Sequence, residues 1–238
     1  MVERFTWEFR QEDIAKNIRE QGMESFLRWP VSAEALYSGD ELYGHRRLDR
    51  LVQSRRGLDK HVGRFNTGNP PNDGPLDMHM VVQAHHLMTL LDTGYTIPMQ
   101  GTVYEFGGGF GAMVLLLRRI GFTGKYVIQD LPEMLRLQDY WLKGEGIREN
   151  VTLTTEPIAG KYDLFIANCS LSEANEDARS KVKDLVEAHA YEICYDRCWN
   201  KGTMATIMAE WVEGIPGQWK RVQDPIFSNH EYWVAKCC

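Results

Sequence analysis

Apolar and polar positions along this chain change rhythm near residue 100. Before it, apolar residues recur at helical spacing: Ile14 and Ile18 lie one turn apart, and a second such pattern runs over 42–52. Residues 66–75, Asn-Thr-Gly-Asn-Pro-Pro-Asn-Asp-Gly-Pro, hold too many breakers for a regular element. Helical spacing resumes over 76–91 with Met80, Gln83, Leu87 and Leu90. After residue 100, short β-prone runs alternate with amphipathic helices. The pattern predicts strands over 102–106, 125–129, 151–155 and 162–167, and helices over 112–120 and 132–143, the second opening on Pro132. Val182, Leu185, Val186, His189 and Ile193 predict one long helix, with Cys194 and Cys198 on a helix face beyond it. Residues 203–209 read as a fifth strand, and β segments near Lys220 and Tyr232 close the chain as an antiparallel hairpin.

Strands alternating with helices build a doubly wound α/β fold, a mostly parallel sheet covered on both faces. The change of rhythm divides the chain into an N-terminal helical segment, 1–75, on the substrate side, and an α/β domain, 76–238. Composition adds little: 43% hydrophobic and 25% charged residues are ordinary for a globular protein able to bury a large core. The formal net charge of −6 argues against a general nucleic-acid binder. A local basic run, Arg46 to Lys60, reads first as a solvated helix face and second as a contact for a phosphate on the substrate. Five cysteines without a Cys-x-x-Cys pair suggest neither a disulfide framework nor a zinc ribbon. With no apolar run long enough to cross a bilayer, the expected setting is the reducing cytoplasm.

The densest chemical signal is Glu105-Phe-Gly-Gly-Gly-Phe-Gly111, between the first predicted strand and the helix after it. Glycines there let a ligand approach backbone N–H groups at the positive end of a helix dipole. Gly107, Gly109 and Gly111 are therefore candidate cofactor contacts. Asp130 ends the next strand, where a carboxylate accepts hydrogen bonds from both ribose hydroxyls of a bound nucleotide. It could equally cap the helix that follows. Glu105, an acid on a buried strand, needs a cationic or hydrogen-bonding partner, and the ammonium of a bound methionine group would serve. Gly107, Gly109 and Ala112 also satisfy a dinucleotide fingerprint, so spacing alone admits a nicotinamide or flavin. Glu105, the extra glycines and the final hairpin favour S-adenosylmethionine.

Three segments, 104–111, 126–133 and 163–173, resemble the sugar O-methyltransferases of the class I S-adenosylmethionine-dependent superfamily, and Gly68-Asn69-Pro70 is similar to a motif of that group. The likeness to the superfamily spans about 76–236. The resemblance implies a seven-stranded Rossmann-like sheet with its last strand antiparallel, S-adenosylmethionine over the first strands, and a small-molecule acceptor such as a sugar or glycoside.

A sugar hydroxyl is a weak nucleophile and calls for a general base at the carboxyl ends of the strands. Glu173, after the fourth strand, is the first candidate; Ser172 and Glu173 could instead cap the helix beginning near Asn175. Asn168 is expected on the cofactor side. His79, on the helix before the glycine strand, and His230, ahead of the last strand, are further candidates, each also readable as a packed histidine. His79 and His86 share a helical face that His85 does not, so no metal site is expected. Trp29, Tyr37, Tyr43 and Trp211 could stack on an acceptor or fill the core. No Pro-Pro-aromatic motif for a flipped base follows the fourth strand, so nucleic acid is an improbable acceptor. The competing readings are an NAD(P)-dependent oxidoreductase and a cofactor-binding protein without turnover.

Overall fold

The computed structural model describes residues 10–29, 75–187, 192–196, 203–213, 215–224 and 231–236, with the side chains of 27–28, 75–82, 186–187, 192–196, 203–205 and 236 outside the description. Helix α1 (Gln11–Gln21) and a 3-10 turn (Met23–Arg28) precede α2 (Pro75–Asp92). Then β1 (Thr102–Phe106), α3 (Ala112–Arg119), β2 (Lys125–Gln129), α4 (Pro132–Gly144), β3 (Val151–Thr154) and β4 (Leu164–Asn168) follow in strict alternation. Helix α5 (Glu176–Glu187), β5 (Glu192–Asp196), α6 (Thr203–Val212), β6 (Gln218–Gln223) and β7 (Glu231–Lys236) complete the order.

The strands pair in the order β3-β2-β1-β4-β5-β7-β6. β1 to β5 are parallel to one another, and β7 runs antiparallel to both β5 and β6. Starting from β1 in the middle, the chain winds outward one way and then returns to the other side at β4. Carboxyl ends of β1 and β4 therefore diverge at a switch point, the place where such sheets bind ligands.

Alternation along the strands separates two cores. Val103, Tyr126, Ile128, Leu164 and Ile166 face Ile14, Ile18, Phe26, Trp29, Leu87 and the buried residues of α3 and α4. Tyr104, Phe106, Val127, Phe165 and Ala167 face Val182, Leu185, Met208 and Trp211 on the other side. Trp29 and Trp211 are thus core residues, their ring N–H groups donating to Ser25 Oγ at 2.8 Å and to the Arg179 carbonyl at 3.1 Å. Neither is available to stack on an acceptor; Tyr37, Tyr43, the basic run and the pattern over 42–52 lie outside the described residues.

Two expectations from the pattern are corrected. The helix carrying Val182 is described over Glu176–Glu187, and Ile193 and Cys194 lie on β5, not on a helix face. Residues 203–209 are the start of α6, not a strand. The run Thr-Met-Ala-Thr-Ile-Met-Ala mixes β-branched and apolar residues, and periodicity does not distinguish a buried strand from a buried helix in so short a stretch. Packing decides: Met208 and Trp211 are three residues apart and both buried against α5 and β4, which needs a helical turn.

Candidate functional site

At the carboxyl end of β1 the chain turns through Gly107 (φ 73°) and Gly109 (φ 58°), backbone that side-chain-bearing residues seldom adopt. These glycines have different neighbours. A Cβ on Gly107 would lie 2.3 Å from Ser170 Cβ, because Ser170 Oγ reaches across to donate to the Phe106 carbonyl at 2.5 Å. One on Gly108 would lie 2.7 Å from Ile128 Cγ2 and 3.0 Å from Glu105 Oε2. Nothing stands within 4 Å of the corresponding point on Gly109. Gly107 and Gly108 thus serve packing of the loop on β2 and β4, while Gly109 opens onto space a ligand can fill.

Asp130, half-buried, follows β2 beside this opening. Its Oδ1 accepts from the Leu131 N–H at 2.8 Å, and its Oδ2 accepts from Gln138 Nε2 at 2.8 Å. It does not cap α4, whose N-cap is Leu131 with no side-chain hydrogen bond. Burial raises its pKa to about 7 against the lowering effect of Leu131, Gln138 and the amides of Gly109 and Gly108.

Glu105 is a different case. It is 3% exposed, beneath the loop, and its Oε2 accepts from Tyr126 Oη at 2.9 Å. Burial carries its pKa to about 8; the Tyr126 bond lowers it, and the Asp130 charge raises it further. The sequence pairs Glu105 with a ligand ammonium, whereas its nearest polar partner in the fold is a phenol from β2. Between pH 4.5, its ordinary value, and about 8 the native state holds a proton that the unfolded chain has released. Its contribution to stability is therefore complete below the lower limit and lost as pH rises to the upper one. Thermal melts from pH 6 to 9 should show a falling melting temperature, and Glu105→Gln should flatten the slope; an unchanged slope in the variant would contradict this assignment.

Beyond β4 the chain passes through Cys169 at φ 55°, an uncommon conformation for a residue with a side chain. Asn168, on the strand face that includes Leu164 and Ile166, has buried amide atoms with no partner among the described residues, and Ser172 Oγ is also buried and unpaired. Buried polar groups seldom stay unsatisfied, so both mark a place for a ligand or water. Glu173 is half-buried just beyond. Neither Ser172 nor Glu173 caps α5; Asn175 does, its Oδ1 accepting from the Ala178 N–H at 2.8 Å.

Further along the same rim lies a buried polar chain that the sequence did not reveal. Register pairs Asn168 with Asp196 and Asp196 with Tyr232, so Tyr232 stands level with the end of β4. His85 Nε2 donates to Asp224 Oδ2 at 2.8 Å, and Tyr232 Oη donates to the same oxygen at 3.0 Å. The Tyr232 proton being committed to Asp224, His86 Nδ1–H donates to Tyr232 Oη at 2.9 Å. These bonds tie α2 to the ends of β6 and β7. Position 79 lies six residues nearer the start of α2, about 9 Å along the axis from His85 at 1.5 Å per residue, away from the start of β1. The His79 side chain and all of His230 lie outside the described residues.

The N-terminal turn closes the glycine loop from behind. Phe26 packs edge-on against Trp29 at 5.2 Å and against Phe110 of the loop at 5.9 Å, and Phe110 in turn meets Trp141 of α4 at 5.9 Å.

Among the described residues no group of three metal-ligating side chains could hold an ion, and no helix is long and apolar enough to cross a membrane. In fold, this chain is similar to solved methyltransferases at low sequence identity. A methyltransferase from Pyrococcus furiosus is similar over 78% of this chain and 98% of its own, with a TM-score of 0.51 and 13% identity. A SAM-dependent methyltransferase from Aquifex aeolicus is similar over 74% of this chain and 97% of its own, with a TM-score of 0.50 and 15% identity. No protein-family model and no curated protein matches the sequence.

Proposed function

We propose that this chain is an S-adenosylmethionine-dependent methyltransferase acting on a hydroxylated small molecule, with a sugar or glycoside as the first class of acceptor. The observation that carries the reading is the opening at Gly109 with the Asp130 carboxylate beside it. The residues fit the cofactor: Asp130 suits a ribose diol, Gly109 leaves room for the backbone to be approached, and the unpaired Asn168 amide can both donate and accept. S-adenosylmethionine, when bound, supplies a methyl group activated on a sulfonium.

The chain's own part is to hold the acceptor in line and take its proton. Glu173 is the leading candidate for that base, since it stands at the β4 rim and α5 does not need it as a cap. His79 comes second, because α2 carries its position past the polar chain at the rim. His230 is a third candidate from the approach to β7. The resemblance of segments 104–111 and 163–173 to sugar O-methyltransferases supports the acceptor class, and the odd cysteine count supports a reducing, cytoplasmic setting.

Calorimetry tests the cofactor. S-adenosylhomocysteine should bind saturably and NAD(H) should not; the reverse would make the chain an oxidoreductase. With an acceptor found by screening sugars and glycosides, Glu173→Gln should lower kcat about 100-fold or more at unchanged cofactor affinity. An active Glu173→Gln would move the base to a histidine.

A further inference from the structure

Gln138 lies on the second turn of α4 and is fully buried. Its Nε2 donates to Asp130 Oδ2 at 2.8 Å and to the Gly109 carbonyl at 2.8 Å, the two groups that frame the opening. Both partners are acceptors, so the amide orientation is fixed by chemistry: turned over, its oxygen would face two oxygens. An NH₂ group has two hydrogens for two acceptors. Ionised glutamate has none, and methionine, of similar length, has none.

This arrangement has a cost. Gln138 Oε1 is buried without a partner among the described residues, which ordinarily destabilises a fold. A side chain needed only to fill space would do better as leucine or methionine. What the amide provides instead is a fixed distance between the end of β2 and the middle of the glycine loop, together with a fixed rotation of the Asp130 carboxylate.

We propose that Gln138 is a positioning residue for the cofactor, aiming the Asp130 carboxylate at the ribose hydroxyls while holding the loop open at Gly109. The inference rests on the cofactor reading above, in which Asp130 meets the ribose. It assigns Gln138 a specific share of affinity, the part that depends on the 2′-hydroxyl.

The test is calorimetry on the full chain with S-adenosylhomocysteine and its 2′-deoxyribose analogue, in the wild type and in Gln138→Met. The wild type should bind the deoxy analogue roughly 10- to 100-fold more weakly, the range expected for a hydrogen bond to a charged group. Gln138→Met should bind S-adenosylhomocysteine roughly tenfold more weakly or worse, and its discrimination between the two ligands should fall below about threefold. A Gln138→Met protein with wild-type affinity, or with weakened affinity but full discrimination, would overturn the proposal and leave Gln138 a packing role. Wild-type binding without discrimination would overturn it too, by removing the ribose from Asp130. Wild-type protein that binds neither ligand would instead sink the cofactor reading and this inference with it. Should Gln138→Met not fold, Gln138→Glu, isosteric and without the paired donors at pH 8, is read by the same criteria.

Discussion

Asp224→Ala is expected to cost about 3–5 kcal/mol of stability, as breaking a buried ion pair or hydrogen-bonded charge usually does. For a chain of this size that corresponds to a melting temperature lower by roughly 10 °C. One oxygen, Asp224 Oδ2, receives both His85 Nε2–H and Tyr232 Oη–H. His85, Asp224 and Tyr232 are each at most 3% exposed, so water cannot replace the lost acceptor. Two buried donors lose this acceptor together, and the bond from His86 loses the orientation of its acceptor. Asp224→Asn keeps an oxygen at the same place and should lose less than half as much. Differential scanning calorimetry on the three proteins decides the matter; an Asp224→Ala melt within about 2 °C of wild type would show that the chain of bonds does not hold α2 to the sheet.

For Asp130→Ala, the expected result is a loss of S-adenosylhomocysteine affinity of roughly 100-fold, two charge-assisted hydrogen bonds at about 1.5 kcal/mol each. Stability should change less than in Asp224→Ala, because the carboxylate is already penalised by burial and Gln138 keeps its bond to the Gly109 carbonyl. The ionised form is the better acceptor for two hydroxyls. With a pKa raised from 3.8 to about 7, wild-type affinity should therefore fall as pH drops below neutrality, and Asp130→Asn should lose that dependence. Titrations at pH 6 and 8 on both proteins separate this role from a structural one. Equal wild-type affinity at the two values would rule out Asp130 as an ionised ribose ligand.

What was legible in the sequence was local. The glycine loop and its acid are contiguous motifs joined by one strand and one helix, and their spacing survives in the sequence because the parallel register of β1 and β2 requires it. Strands β1, β2 and β4 show as apolar runs because both their faces are covered. The pattern's helix reaching Ile193 and its strand over 203–209 are not what forms, since a buried strand and a buried helix look alike over seven residues. The polar chain at the rim was out of reach for another reason. His85 and Asp224 are 139 residues apart, and no periodicity connects them. Gln138 was hidden more subtly: on a helical pattern it reads as one polar residue on an apolar face, and only the fold shows that this face meets a carboxylate and a carbonyl. Sequence identified Glu105 as a buried acid but not its partner, because Tyr126 reaches it from the neighbouring strand.

The aromatic contact behind the glycine loop makes the N-terminal turn a silent participant in ligand affinity. Phe26 and Trp29 are 3% and 0% exposed, and their support for Phe110 is lost whenever residues 10–29 detach. If the loop must be ordered to receive a ligand, detachment and binding compete, and each opposes the other by the same free energy. A ligand should therefore protect amides in α1 from hydrogen exchange, and a partner that seizes α1 would loosen the ligand from behind.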